Sequence, residues 1–173
     1  MADQRYSRQE LIEGWNQKKW SSLRAAVVGD GLLGQQIVEN LVAMGLGEVR
    51  FIGNSYNTRR ARETGYLPWI YDEEDSVVKA CSSFLRTVNP DISIYGHHWF
   101  PGTETVETFL DGVDMIFDTT KPLAIKRRIA RIAKAQDSLL VSGNVGTFKG
   151  GFFVGTENAN AITELEQIVE NEG

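Results

Sequence analysis

Cysteine is the scarcest chemistry in this sequence: one residue, Cys81, in 173. A single thiol excludes an internal disulfide and any zinc site built on cysteines. Histidine is nearly as rare, with only the adjacent His97 and His98. Neither stands at ligand spacing from a cysteine or carboxylate, so no metal site is expected there, only a solvated strand end. No apolar run approaches the ~20 residues of a membrane span. The opening Met-Ala-Asp-Gln-Arg is polar and does not read as a secretory leader, so the cytoplasm is the expected compartment. Repeats and low-complexity linkers are missing too. A net charge of −5 argues against general nucleic-acid binding, though not against local anion sites.

What is present is an ordinary globular balance, 42% hydrophobic and 24% charged. A length of 173 residues suits one domain, 1–173, with a sizeable core. Charge is unevenly spread. Basic residues gather at Arg59, Arg60 and Arg62, and again from Lys121 through Lys126, Arg127, Arg128, Arg131 and Lys134. The run 126–134 reads as the solvated face of a helix.

The stretch Ala25-Ala26-Val27-Val28-Gly29-Asp30-Gly31-Leu32-Leu33-Gly34 carries the most chemistry. It reads as a buried strand, a glycine turn and the start of a helix. Gly29 permits the tight turn, Gly31 lets a phosphate approach the backbone, and Gly34 lets helix and strand pack closely. Amides at the start of that helix, around Leu32 and Leu33, then face an anion with help from the helix dipole. The competing reading is a glycine turn kept only for close packing.

Apolar spacing predicts a helix over 7–22 with Leu11, Ile12, Trp15 and Trp20 inward. A strand at 24–29 and a helix at 32–44 follow, the helix stopped by Gly45 and Gly47. Then come a strand at 48–52, a polar loop at 53–70, and a helix at 72–88 ended by Asn89-Pro90. Further strands are expected at 92–95, 113–117, 138–142 and 151–154, and helices at 104–111, 125–135 and 159–171. This alternation predicts an α/β fold: a Rossmann-like, doubly wound, mainly parallel sheet with helices on both faces and an N-terminal helical arm. Ligands in such folds sit beyond the carboxyl ends of the strands, which selects 29–34, 53–62, 118–122 and 143–148 as site walls.

Arg5-Tyr6-Ser7-Arg8-Gln9, placed before this glycine loop, resembles the opening of the ThiF/MoeB and ubiquitin-activating superfamily. Those enzymes activate a carboxylate with ATP. Gly45-Leu46-Gly47, Val88-Asn89-Pro90, Asp118-Thr119-Thr120, Ser142-Gly143 and Val145-Gly146 also fall in the family's order. The resemblance covers 5–155. It implies a homodimer in which Arg8 reaches the partner's ATP phosphates, a task suited to a permanently charged planar fork. It implies that Gly29, Gly31, Leu32, Leu33 and Gly34 hold the nucleotide. Arg59, Arg60 and Arg62 lie where the family places a phosphate-binding Asn-x-x-Arg.

Departures from the family pattern are as informative. The ribose-binding acid falls on Gly53, with Asn54 the nearest polar substitute. The family's lysine falls on Val77, and Lys79 is displaced from it by two positions, ~200° around a helix. Thr-Asp-Asn, whose aspartate assists magnesium, reads Thr120-Lys121-Pro122. Lys121 therefore either contacts phosphate directly or marks an impaired magnesium-assisted step. The family's later nucleophilic cysteine and Cys-x-x-Cys zinc pairs are missing, and Cys81 falls on the apolar face of a helix. An adenylate of a small-molecule or peptide carboxylate is then expected to pass to a thioester-forming acceptor protein. These features resemble the HcgE-type branch of methanogenic archaea, which activates a guanylylpyridinol precursor of the Fe-hydrogenase cofactor. Two other classes stay open. Gly53, Val77 and Lys121 motivate a non-catalytic scaffold or regulatory subunit. A nicotinamide oxidoreductase would want an acid after the second strand and a proton-transfer residue, neither of which stands out.

Overall fold

The computed structural model describes residues 4–55, 76–99, 106–145 and 150–155. Strand β1 is Arg24–Val28, whose last four residues are all buried. A strand without polar alternation must be covered on both faces. Neighbours of this strand show how. Ala25 and Val27 belong to one apolar cluster, Ala26 and Val28 to a second, as the two-residue period of a strand requires.

Helices α2 (Leu32–Ala43) and α3 (Val77–Val88) close the first face with Val38, Leu41, Val42, Val78, Cys81 and Leu85. Helices α4 (Val106–Leu110) and α5 (Leu123–Ala135) close the second with Val106, Leu110, Ile129 and Ala133. Between them lie β2 (Glu48–Gly53), β3 (Ser93–His98), β4 (Met115–Asp118), β5 (Leu139–Val145) and β6 (Gly150–Gly155). The sheet order is β3-β2-β1-β4-β5-β6. Strands β1 to β5 run parallel, and β6 pairs antiparallel with β5. The chain winds outward through β2 and β3, then returns past β1 to β4. The switch point lies between β1 and β4, where such sheets open a crevice at their carboxyl ends. The doubly wound expectation holds.

The N-terminal arm differs from its prediction. In place of one helix over 7–22, two short 3-10 turns, Gln4–Tyr6 and Gln9–Leu11, precede a four-residue helix α1, Gln17–Trp20. Gly14 adopts φ +81°, which ends one segment, and Asn16 Oδ1 accepts from Lys19 N to begin the next. Leu11 and Ile12 are exposed, so their helical spacing buries nothing. The arm is held instead by polar side chains. Arg5 donates to Asn89 and Asp91, and Tyr6 lies over Gly45, where φ of +76° and the ring together exclude a side chain. Gln9 and Gln17 donate to the carbonyl of Met44 at the end of α2.

Smaller departures follow the same physics. The strand expected to end at 142 is β5, which continues through Val145 because β6 pairs with it. The loop 56–70, the start of the helix at 72–75 and the helix at 159–171 lie outside the described residues.

Candidate functional site

At the end of β1 the chain turns at Gly29, with φ +110°. Its amide donates to Ile52 O (2.8 Å), while Thr119 N donates to Val28 O (2.8 Å). The turn is thus pinned between the ends of β2 and β4. A Cβ at Gly29 would strike Thr119 Oγ1, and one at Gly34 would overlap the Gly29 carbonyl. Gly31 is different: a Cβ there meets nothing within 4 Å. Gly31 stands at the start of α2 and, having no side chain, offers the first amides of that helix no capping hydrogen bond. Gly29 and Gly34 thus play the turn and packing parts expected of them. Both are needed by the backbone, and Gly31 faces open space.

Two adjoining hollows lie over this turn. One, of about 340 Å³, is bounded by Gly29, Gly31, Gly53, Asn54, Thr120 and Lys121, with Trp99 and Pro122 on its walls. The other, of about 480 Å³, reaches past Leu32 and Leu33 to Asn144 and Val145. Gly31, Thr119 and Lys121 border both. Volumes of a few hundred Å³ suit a ligand of nucleotide size. Of the expected walls, 29–33, 53–54 and 119–122 meet here, and the fourth contributes Asn144 and Val145.

Not every candidate joins them. Lys79 is exposed near the start of α3 and borders neither hollow. Arg8 is also exposed, and its arm is anchored at Met44, Gly45, Asn89 and Asp91, which precede β2 and β3. That is the amino end of the sheet, whereas the hollows lie at the carboxyl end. Arg59, Arg60 and Arg62 lie outside the described residues. His97 is not merely a strand end: its ring packs on Phe109 with centroids 4.8 Å apart. Among the described residues, no cluster of three His, Cys, Asp or Glu could hold a metal.

Two groups at the site escaped the sequence reading. The first is Lys126, expected on a solvated face and instead 3% exposed. Its Nζ donates to Asp118 Oδ2 (3.0 Å), Ser142 Oγ (3.2 Å) and the Gly143 carbonyl (3.3 Å). Asp118 also accepts from Ser142 Oγ (2.6 Å), and its other oxygen accepts from Thr120 N (2.9 Å) and Thr120 Oγ1 (2.6 Å). The buried charges are paired and hydrogen-bonded throughout, which is the condition for burying them at all. The network ties the ends of β4 and β5 together and suspends the Thr120-Lys121 turn over the hollows. The available signal was spacing: Lys126 begins the apolar stripe Lys126, Ile129, Ala133, at steps of three and four. The second is Asp30, whose carboxylate accepts from Ser55 N (2.7 Å) and Ser55 Oγ (2.9 Å).

Cys81 is buried between α3 and its neighbours, as its apolar surroundings predict. Burial, reinforced by the charge of Glu39, pushes its thiol up to about 12. The folded state resists thiolate formation, so between pH 9 and about 12 the unfolded chain releases a proton that the folded chain retains. Stability is full below that window and falls through it. Cys81→Ala should therefore cost a modest amount at neutral pH and flatten this alkaline decline, as read by chemical denaturation against pH.

The comparisons with known proteins agree with this geometry. The ThiF family profile matches residues 6–167. The SAMP-activating enzyme E1 of Haloferax volcanii is 24% identical over 149 residues, covering 84% of this chain and 55% of that enzyme. The sulfur carrier protein ThiS adenylyltransferase of Bacillus subtilis is 35% identical over 97 residues, covering 53% of this chain and 29% of that protein. This chain thus spans about half, or less, of the curated relatives it matches. Among solved structures, E. coli MccB with succinimide superposes with a TM-score of 0.72 at 16% identity, covering 96% of this chain and 55% of that one. PaaA gives 0.72 at 15% identity, covering 98% and 63%. These two share the fold. With a glycine loop at the switch point of the sheet and a family match over nearly the whole chain, this protein belongs to the ThiF family.

Proposed function

We propose that this chain is an ATP-dependent adenylyltransferase. It binds ATP over the Gly29–Gly34 loop and activates a small-molecule or peptide carboxylate. The carboxylate oxygen attacks the α-phosphorus, the bond to the bridging oxygen of the β-phosphate breaks, and pyrophosphate leaves. One observation carries this reading: the uncapped start of α2 and the ammonium of Lys121 border the same hollow. Both suit a polyphosphate, and positioned charge is most of what phosphoryl chemistry asks of a protein. The named activities of the two curated relatives, an activating enzyme and an adenylyltransferase, support it.

The residues present do not fit a magnesium ion held by this strand end. Asp118 is buried and all its near partners are accounted for, and the next candidate position is Lys121. The same misfit favours a second reading, a nucleotide-binding scaffold without turnover. Lys121→Ala separates the two. For the enzyme, ATP affinity should fall about tenfold or more, as expected for a lost charged hydrogen bond, and pyrophosphate exchange should fall with it. Unchanged affinity together with no exchange in the wild type would leave the scaffold. Calorimetry and radiolabelled pyrophosphate exchange read both quantities.

We further propose a twofold dimer in which Arg8 serves the partner's nucleotide. Its own arm fixes it at the wrong end of the sheet for its own hollow, and twofold pairs are the commonest assembly. Arg8→Ala should weaken ATP binding or turnover about tenfold at saturating protein and leave thermal stability unchanged, because the side chain is exposed. A monomer at micromolar concentration in sedimentation would overturn this arrangement. Cys81 is buried and is not the acceptor; in this reading the thiolate of an acceptor protein attacks the acyl carbon and AMP leaves. A guanylylpyridinol carboxylate is the narrowest substrate in this reading, tested by substrate-dependent pyrophosphate release.

A further inference from the structure

The end of β2 is where an open doubly wound sheet usually presents an acid to the ribose of a bound nucleotide. Here that position is Gly53, which has no side chain. The space above it is nevertheless filled. A Cβ at Gly53 would come within 2.5 Å of Asp30 Cβ, Cγ and Oδ2. The carboxylate of Asp30, from the middle of the glycine loop, therefore lies where a side chain of residue 53 would begin. The two positions are mutually exclusive: an acid can stand at 30 or at 53, not at both.

Asp30 is also held in a defined pose. Ser55 N donates to Oδ2 at 2.7 Å and Ser55 Oγ to Oδ1 at 2.9 Å. Gln35 Nε2 donates to the Asp30 carbonyl at 2.9 Å and fixes the backbone behind it. A carboxylate offers about four acceptor sites, so each oxygen retains capacity after its bond to Ser55. Asp30 borders the hollow of about 340 Å³ alongside Gly53 and Asn54. A negative group there repels phosphate and favours a donor. Of the adjoining positive features, the start of α2 at Leu32 and Leu33 borders the second hollow, and Lys121 borders both.

We infer that Asp30 is the ribose-recognition residue of this site, an acid relocated from the end of β2 into the glycine loop. This rests on the nucleotide reading above and adds an orientation to it. The vicinal hydroxyls donate to the Asp30 carboxylate, and the phosphates run toward the amides of α2 and Lys121. Gly53 then marks the relocation itself and not a loss of recognition.

The test measures binding of ATP, 2′-deoxyATP and 3′-deoxyATP to the full chain by calorimetry. The wild type should prefer ATP over at least one deoxy analogue by about tenfold or more, the worth of a hydrogen bond to a charged acceptor. Asp30→Ala should bring ATP down to the affinity of the deoxy analogue and leave the analogue's own affinity nearly unchanged. Asp30→Asn, which keeps an oxygen for Ser55, should lose preference several-fold with its melting temperature retained. Gly53→Asp alone should destabilise the fold by collision, whereas Asp30→Gly with Gly53→Asp should fold and regain the preference. Equal binding of all three nucleotides by the wild type, or a preference that survives Asp30→Ala, would overturn the inference and leave the ATP reading standing. An Asp30→Ala variant altered only in magnesium dependence would overturn it as well. A wild type that binds no ATP would overturn both.

Discussion

Lys126→Ala should destabilise the protein by about 3–5 kcal/mol, since removing one partner of a buried pair strands the other charge in the interior. Asp118 is 1% exposed, so water cannot replace the lost ammonium without opening the sheet end. Ser142 Oγ and the two Thr120 donors would remain on the carboxylate, which limits the loss but does not neutralise it. Replacing both charges, as in Lys126→Met with Asp118→Leu, should recover much of the stability, because apolar pairs often substitute for buried ion pairs. Nucleotide binding should not recover. The Thr120-Lys121 turn hangs from Asp118, so the double variant would fold with its strand-end turn unanchored. Urea denaturation and ATP calorimetry on the same variants separate these outcomes. A Lys126→Ala protein as stable as the wild type would refute the assignment of the network.

This network also shows where sequence reading stops. The doubly wound sheet was legible because apolar periodicity reports burial directly: Val27 and Phe51 must lie inside, whatever their partners. Lys126 was not legible, because its burial depends on a carboxylate eight residues away in sequence and a hydroxyl sixteen residues away. A charge run looks solvated until those partners are known. The N-terminal arm failed for a related reason. Leu11, Ile12, Trp15 and Trp20 have helical spacing, yet the polar anchors Arg5, Tyr6 and Gln9 decide where the arm lies. Gly53 was visible as a departure, whereas Asp30 stood unremarked inside the glycine loop. Their steric exclusion is a property of three dimensions. Lys121, by contrast, was placed over the cleft by position alone, because residues just past a parallel strand have nowhere else to go.

The glycine loop yields the sharpest separation of stability from binding. Gly34→Ala should damage both. Its Cβ would overlap the Gly29 carbonyl and come within 3.0 Å of the Gly29 carbonyl carbon and 3.2 Å of Thr119 Oγ1. The first two are backbone atoms of a turn already bonded to β2 and β4, so neither yields cheaply. Relief would come from pushing α2 away from β1, an overpacking cost of about 1–3 kcal/mol. The same displacement carries the ligand-facing amides off their mark. A misplacement near 1 Å is enough for about a hundredfold loss, here expected in ATP affinity. Gly31→Ala should behave differently. Gly31 has φ −67° and ψ 178°, extended backbone that alanine adopts without strain, and its Cβ would meet no protein atom within 4 Å. The variant should melt at the wild-type temperature. Its methyl group would nonetheless project into the space where a phosphate must approach the amides, and ATP affinity should fall about tenfold or more through lost charged contacts. Thermal melts without ligand, paired with calorimetry, read each effect separately. Equal ATP affinity in Gly31→Ala and wild type would mean that the loop exists for packing, and the nucleotide site over it would have to be abandoned.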